Sequence, residues 1–148
     1  MTQAVLTATL TLIGAGFLFL FSQFISEGII KPYVEYRKVL AEITYTLIYH
    51  ANVIASTPAG AKRDEQVEIS GKLRSLSAQL RSAITALPFQ DLLRLLQLIP
   101  PQQRIYDAAG RLIRISIRLL DVEQKKHDEI YSDMNAVGEL LQIDVGRD

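Results

Sequence analysis

The sequence predicts an all-α protein with one N-terminal transmembrane helix, followed by a cytoplasmic bundle of about four to five helices. Three observations support this prediction. The first 26 residues contain no charged side chain, apolar residues in the rest of the chain recur every three or four positions, and no strand-like alternation is present. The 148 residues include 16 basic and 16 acidic side chains and are 49% hydrophobic, which suits one anchored domain.

Residues 1–26 form the predicted transmembrane anchor. About 20 apolar residues cross the hydrocarbon core of a bilayer, and residues 5–24 meet that length. The apolar run has no basic leader and no good cleavage site after it, which favours an uncleaved anchor over a signal peptide. Small residues on one stripe predict self-association of the span, unless they simply reflect the usual composition of spans. They are Ala4, Ala8, Thr11, Gly14 and Ala15.

The first basic residues after the span set its predicted orientation. Lys31, Arg37 and Lys38 follow the apolar run, and only the α-amino group precedes it. By the positive-inside rule, the N-terminus lies outside and the C-terminal domain lies in the cytoplasm. Between them, residues 27–32 form a junction in which Gly28 and Pro32 should kink or interrupt the helix.

Residues 33–142 are the predicted bundle, and residues 143–148 are a C-terminal tail. Helical periodicity runs from residue 33 to about 56 and from 64 to 87, with breaker residues at 56–60 and at Pro88. Residues 89–99 predict a short helix that is apolar on most sides, so it is buried or lies against a membrane. A fourth helix is predicted from about 102 to 120 and an acidic fifth from 122 to about 142.

The fourth helix has the most informative pattern. At 100° per residue, four arginines share an arc of about 80°. They are Arg104, Arg111, Arg114 and Arg118, and the residues predicted on the opposite side are Ile105, Leu112, Ile113, Ile117, Leu119 and Leu120. Four like charges on one stripe need nearby anions.

Two kinds of anion fit the arginine stripe. Residues 62–120 carry ten basic and five acidic side chains, whereas residues 121–148 carry eight acidic and three basic ones. The acidic fifth helix or a neighbouring subunit can therefore neutralise the stripe. The acids available there are Asp121, Glu123, Asp128, Glu129 and Asp133. Alternatively, the stripe binds an anionic ligand, either a nucleotide or another phosphorylated molecule, or lipid phosphates.

The composition argues against several functional classes. The chain contains no cysteine, which excludes thiolate metal sites, cysteine nucleophiles and disulfide scaffolds. Its two histidines, His50 and His127, pair by spacing with Glu42 and Glu123, and each pair supplies two ligands where structural zinc needs four. No phosphate-binding loop or nucleophile elbow is present. We therefore expect no enzymatic activity, no metal and no cofactor.

Four of the six tyrosines lie on the first cytoplasmic helix. Tyr33 and Tyr36 are placed for an aromatic belt at the headgroups, whereas Tyr45 and Tyr49 suit the edge of a core. A nucleic-acid site would need basic side chains on the same surface as the rings. The sequence does not place them together, so we expect no nucleic-acid binding.

An apolar pattern in the middle of the chain carries a family resemblance. It consists of Leu87-Pro88-Phe89-Gln90-Asp91-Leu92-Leu93, then Leu98-Ile99-Pro100, and then Ile105, Ala108, Ala109, Leu112 and Ile113. With the N-terminal span and the Tyr-rich helix, it resembles an uncharacterised group of small bacterial single-pass membrane proteins with a cytoplasmic helical domain. The resemblance covers most of the chain and implies this architecture in a bacterial inner membrane, but it supplies no functional residues.

These features predict a membrane-anchored homo-oligomer that acts without catalysis as a cytoplasmic sensor or effector. An anionic ligand or a partner would act by stabilising one arrangement of the bundle and thereby moving the attached span. The alternative is an accessory or scaffold subunit that tethers a larger complex through a protein partner in the membrane.

Overall fold

The computed structural model describes residues 2–54, 62–121 and 127–145. Within these ranges all regular elements are helical and no strand occurs, which confirms an all-α fold with one long apolar N-terminal helix and a helical bundle. The elements are α1 (Thr2–Ile25), a π-helical segment (Ser26–Ile30), α2 (Lys31–Tyr49), α3 (Ala51–Ile54), α4 (Lys62–Ala86), α5 (Gln90–Leu95), α6 (Gln102–Arg118) and α7 (His127–Leu141).

A single helical rod connects the N-terminal helix to the bundle. Ile25 and Ile30, which flank the π segment, both have helical backbone angles, and α2 follows directly. Pro32 lies in the first turn of α2, where a missing N–H is tolerated because this end of a helix has unpaired donors anyway. The sequence predicted a kink or an interruption here, but the helix changes to π geometry around Gly28 and then continues.

Four helices, α2, α4, α6 and α7, form an antiparallel bundle. α4 packs between α2 and α6, α6 packs against α7, and α7 touches α2. α4 runs antiparallel to α2, since Lys72 pairs with Glu42 while Glu65 lies beside His50. It also runs antiparallel to α6, since Ser70 bonds to Ser116 and Ser77 bonds to Ala109. We name the end where α2 begins the junction end. Tyr33, Leu98, Pro100 and Leu141 line one groove there.

The hydrophobic core lies along the axis of this bundle. Fully burying one Leu or Ile side chain contributes about 1.5–3 kcal/mol, and all four long bundle helices supply such residues. They include Leu40, Ile43 and Leu47 of α2; Leu73, Leu76, Leu80 and Ile84 of α4; Ile105, Leu112 and Ile115 of α6; and Met134, Val137 and Leu141 of α7. The helical periodicity of the sequence therefore corresponds to burial in this core.

The interface between α4 and α6 is built from small residues. Ser70 Oγ donates to the backbone oxygen of Ser116 at 2.8 Å, and Ser77 Oγ donates to that of Ala109 at 2.9 Å. The two bonds are seven residues apart on each helix, so they share one stripe of each surface. A hydroxyl that reaches the opposite backbone directly shows that the two helices approach closely.

Some predicted boundaries and contacts are wrong. The first cytoplasmic helix was predicted to reach about residue 56, but it breaks at His50, where φ and ψ are −97° and 12°. Ile117 and Leu120 were predicted opposite the arginines, and both are exposed, whereas Ile115 is buried. α6 packs against both α4 and α7. Its buried residues therefore lie on two sides of the helix and not on one face opposite the arginines. The predicted breaker residues 56–60 and the predicted start of the fifth helix at residue 122 lie outside the described ranges.

Candidate functional site

The arginine stripe of α6 faces α7, where Asp133 lies among three of its guanidinium groups. Arg111 Nη1 donates to Asp133 Oδ1 at 2.8 Å, and Arg118 Nη1 donates to Asp133 Oδ2 at 2.5 Å. Arg114 Nη2 lies 4.0 Å from Asp133 Oδ1. The Asp133 side chain is only 5% exposed, so both of its oxygens are held in a largely buried, charge-assisted cluster.

Two further contacts extend this cluster along α7. Arg118 Nη2 pairs with Glu129 Oε2 at 2.7 Å, one helical turn before Asp133. Arg104 Nη2 donates to the backbone oxygen of Glu139 at 2.7 Å. Glu139 lies in the last turn of α7, where carbonyl oxygens carry the negative end of the helix dipole. All four arginines of the stripe therefore lie on the side of α6 that meets α7.

Among the acids predicted to neutralise the stripe, Glu129 and Asp133 pair with it. They are spaced by four residues and therefore lie on one face of α7. Asp128 is exposed on another face, and Glu123 lies outside the described residues. The structure thus supplies intramolecular counter-charges for the stripe, and Arg111 and Arg118 are bonded directly to them.

Arg114 differs from its neighbours because its side chain is 53% exposed. With Arg111 it lines a groove of about 310 Å³, together with Tyr106, Asp107, Gly110 and Leu140. At the edge of this groove Gln102 donates a hydrogen bond to the Tyr106 hydroxyl, which stabilises the phenolate and lowers the pKa of Tyr106. Arg114 has an open side on which a phosphate oxygen can be hydrogen-bonded.

The predicted packing stripe of α1 is exposed in the single chain. Ala8, Thr11, Gly14 and Ala15 are all open to the surroundings, and a Cβ added to Gly14 would meet no atom within 4 Å. Thr11 Oγ donates to the backbone oxygen of Thr7 at 2.8 Å, so its hydroxyl is bonded within the helix. The side chain of Ala4 lies outside the description. The stripe is therefore a smooth, small-residue surface.

The two histidine pairs do not come together as metal sites in the described residues. Glu42 faces Lys72, and His50 Nδ1 instead lies 3.8 Å from Glu65 Oε1. The Glu123–His127 pair falls outside the described side chains. No group of three possible metal-ligating side chains is found in the part of the chain that the structure describes.

Tyr36 is placed differently from its predicted position at the headgroups. Its side chain is wholly buried in the core, and its hydroxyl has no hydrogen-bond partner among the described residues. Burial disfavours the charged phenolate and raises the pKa of Tyr36 to about 12. The helical periodicity predicted from residue 33 to about 56 includes position 36, but spacing alone does not show that a hydroxyl lacks a partner.

No protein-family model matches this chain, and neither a curated protein nor a solved structure shows significant similarity to it. A functional proposal for this chain therefore rests on the chemistry and geometry of the described residues.

Proposed function

We propose that this protein is a membrane-anchored, non-enzymatic sensor or effector, in which α1 crosses a bacterial inner membrane and the bundle lies in the cytoplasm. The observation that carries the proposal is the continuous helix from α1 through the π segment into α2. α2 supplies core residues of the bundle, so a movement of α1 is passed directly to that core. A flexible linker would instead absorb the movement.

Anchoring by α1 is supported by its length and its exposed surface. Its 24 residues span about 36 Å at 1.5 Å per residue, which exceeds the roughly 30 Å of a hydrocarbon core. Every described side chain from Leu6 to Phe24 is exposed, including four phenylalanines. In water this surface would be costly, whereas in lipid it is favourable. Lys31, Arg37 and Lys38 favour the cytoplasm for the side that follows.

The π segment supports a role in coupling. Short π segments occur often at functional sites because they hold an extra residue within a helix. Here the segment separates the exposed span from the packed helix, and Lys31 at the start of α2 pairs with Glu27 within the segment. If the π segment shifts along the rod, α2 rotates relative to α1, so that a different face of α2 is aligned with a given face of α1. Two arrangements of the rod would then favour two arrangements of the bundle.

Self-association of the span is the proposed input to this coupling. The small-residue stripe lets two copies of α1 approach closely, and association in lipid depends on such packing. The described helices of the bundle do not cover this stripe on α1, so the stripe is available to a second copy of the chain. The protein is therefore proposed to act as a homo-oligomer.

Arg114 is the proposed position for an anionic ligand such as a nucleotide or a lipid phosphate. It is the stripe arginine farthest from Asp133 among the three that surround that carboxylate. A ligand that binds only the folded bundle raises its melting temperature by mass action. The measurement is thermal unfolding of the detergent-solubilised full chain with a panel of nucleotides and short-chain phospholipids, and Arg114→Gln should abolish any shift.

The coupling is tested by cross-linking the spans and observing the bundle. Because the chain has no cysteine, Ala8→Cys places a single disulfide between two copies in vesicles. We expect oxidation to change hydrogen exchange in α2 and α4, because the rod transmits the constraint to the core. The matched control carries four glycines inserted between Ile30 and Lys31, and it should cross-link equally but show no change in exchange.

Each outcome of this experiment decides between the two functions. A change that requires the continuous rod supports the sensor or effector. Efficient cross-linking with the same exchange in both proteins contradicts coupling and favours the accessory or scaffold alternative, in which α1 only tethers the bundle. Failure of Ala8→Cys to cross-link, with cytoplasmic activity of a reporter fused after Asp148, would remove self-association and leave the anchor intact.

A further inference from the structure

The segment between α4 and α6 exposes an unusual amount of apolar surface. Leu95 is 79% exposed, and four more large apolar side chains are open beside it, whereas Leu93 and Ile99 turn into the core. We name the exposed set the α5 face. It consists of Phe89, Leu92, Leu95, Leu96 and Leu98. Contiguous apolar surface of this kind marks an interaction site.

The backbone on both sides of α5 adopts conformations that are energetically unfavourable. Phe89 and Gln97, just outside the two ends of α5, have φ angles of 51° and 57°, in the left-handed region that residues with a Cβ avoid. Such strain persists only where surrounding contacts fix it. Gln90 Nε2 donates to the backbone oxygen of Ile84 at 2.8 Å, and Arg94 Nη2 donates to Gln90 Oε1 at 2.9 Å. These hydrogen bonds fix the segment to the end of α4, while its exposed leucines face away from the core.

The α5 face lies at the junction end, next to the start of α2. Leu98 lines the same groove as Tyr33 and Arg37. α4 runs antiparallel to α2, and its last residue precedes α5 by only a short turn. The rod that contains α1 enters the bundle at this same end. If α1 crosses the membrane, the α5 face lies beside the first turns of α2, at the end of the bundle that faces the leaflet.

We propose that the α5 face inserts into the interfacial layer of the leaflet from which α1 emerges, as a second contact between this protein and the membrane. This inference rests on the proposed function, because it requires α1 to span the bilayer. A lipid surface is the occupant that continuity with α1 specifies. A short segment with one apolar side and a polar side is suited to the boundary between headgroups and acyl chains.

The polar groups of the segment are compatible with that position. Asp91, the exposed acid beside the face, pairs with Arg94 at 3.1 Å, which reduces the cost of bringing its charge near lipid. Lys31 at the start of α2 pairs with Glu27, and Arg37 lines the groove next to Leu98. These cations lie where anionic headgroups would be. Two attachment points, α1 and α5, would fix the tilt of the bundle on the membrane.

The test measures how deeply single positions lie in lipid, using the full chain in vesicles of phosphatidylethanolamine and phosphatidylglycerol. Because the protein has no native cysteine, Leu95→Cys carries one environment-sensitive fluorophore. Val67→Cys is the matched control, since Val67 is also exposed and apolar but lies about 28 Å further along α4 from the junction end. Phe17→Cys reports on the span itself.

Lipids that carry a nitroxide near the headgroup should quench the label at Leu95 at least about twofold more than the label at Val67, because interfacial segments lie within about 5–10 Å of that depth. Lipids with the nitroxide near the end of the acyl chain should quench the label at Phe17 most. Leu96→Cys repeats the measurement on the same face, so that the result does not depend on one side chain.

The remaining outcomes separate the two proposals. If Phe17 is quenched and neither Leu95 nor Leu96 is, α1 spans the membrane and the α5 inference is overturned. If Phe17 is not quenched, the anchoring part of the proposed function fails, and the inference fails with it. If the labels at Leu95 and Leu96 are protected from both the nitroxide lipids and aqueous iodide, protein covers the face, and the lipid assignment is wrong.

Discussion

The two interfaces of α6 are built from different chemistry, although they lie on one helix. Towards α4, hydroxyls of Ser70 and Ser77 bond to backbone oxygens of α6, and Arg74 Nε donates to Ser116 Oγ without any carboxylate partner in these bonds. Towards α7, guanidinium groups surround the buried carboxylate of Asp133. A neutral hydrogen bond contributes about 0.5–1.5 kcal/mol, whereas leaving a buried charge without its partner is much more costly.

This difference indicates which interface a change in conditions can affect. Salt screens interactions between partly exposed charges, whereas it has little effect on contacts that depend on shape. The α4–α6 pair should therefore stay together while the α6–α7 pair responds to ions, ligands or substitutions. α7 is in this sense the adjustable helix of the bundle, and α4 and α6 form its fixed part.

The largest expected effect is that of Asp133→Ala on the charged interface. Arg111 and Arg118 would lose the carboxylate that they share, and their like charges would repel each other. Removing one partner of a buried pair costs 3–5 kcal/mol, and because these arginines are 31% and 22% exposed, we expect about 2–3 kcal/mol. The measurement is urea unfolding of the full chain in detergent, followed by circular dichroism.

Asp128→Ala is the matched control for this prediction. Asp128 is an exposed acid in the first turn of the same helix, so its loss removes about 0.3–1 kcal/mol of interaction with the helix dipole. Equal destabilisation by the two variants would show that stability depends on the total charge of α7 and not on the position of each acid. The shared carboxylate would then have no special part in the interface.

Tyr36→Phe gives the next largest effect, and it appears only at alkaline pH. Between pH 10 and about 12 the unfolded chain loses the phenolic proton while the folded chain retains it, because burial raises the pKa of Tyr36 to about 12. The folded state then binds more protons than the unfolded state, so stability falls as pH rises. The phenylalanine variant should be more stable than wild type by about 2 kcal/mol at pH 12.

At neutral pH the same substitution should not lower stability, since the buried hydroxyl of Tyr36 makes no hydrogen bond within the described residues that phenylalanine would lose. The difference between the two proteins is measured across the pH range, so that other titrating groups cancel. A parallel decline of both proteins above pH 10 would mean that Tyr36 ionises freely in the folded state.

The two serine hydroxyl bonds between α4 and α6 predict a smaller change that is independent of salt. Ser70→Ala with Ser77→Ala removes two hydroxyl donors, but the backbone oxygens of Ser116 and Ala109 lie within α6, where helical N–H groups are also available to them. We expect a loss of about 1–1.5 kcal/mol, unchanged between low and high salt in urea unfolding. A loss that varies with salt would show that the two interfaces are not independent.

The sequence predicted the helices well because burial follows a simple periodicity. Leu73, Leu76 and Leu80 recur at helical spacing on α4 and all lie in the core. The failures occurred where two neighbours share one helix. Ile117 and Ile115 differ by only two positions, and which of them is buried depends on how α4 and α7 are placed around α6.

The charged site was only partly predictable for a related reason. The arginine stripe and the acids of α7 were both evident in the sequence, so their attraction followed from charge alone. The central position of Asp133 required the register between α6 and α7, which composition does not contain. The exposure of the α5 face could not be predicted either, because an apolar run is compatible both with burial in protein and with contact with lipid.

Arg114→Gln gives the smallest effect and the sharpest information about the charged interface. Arg114 lies three residues after Arg111 and four before Arg118, so it adds a like charge to both neighbours, and it lies 4.0 Å from a carboxylate that they already bind. We therefore expect the substitution to raise stability by about 0.3–0.5 kcal/mol at low salt. The gain should disappear near 1 M salt, where the screening length falls to about 3 Å.

Arg111→Gln is the control for Arg114→Gln, because Arg111 bonds to Asp133 directly and its loss should lower stability at the same low salt. Both proteins are compared by urea unfolding of the full chain in detergent. A gain for Arg114→Gln indicates an arginine that the fold does not need, which is the property expected of a residue kept for a ligand. A loss greater than about 0.5 kcal/mol would instead make Arg114 part of the Asp133 cluster and remove it as an anion site.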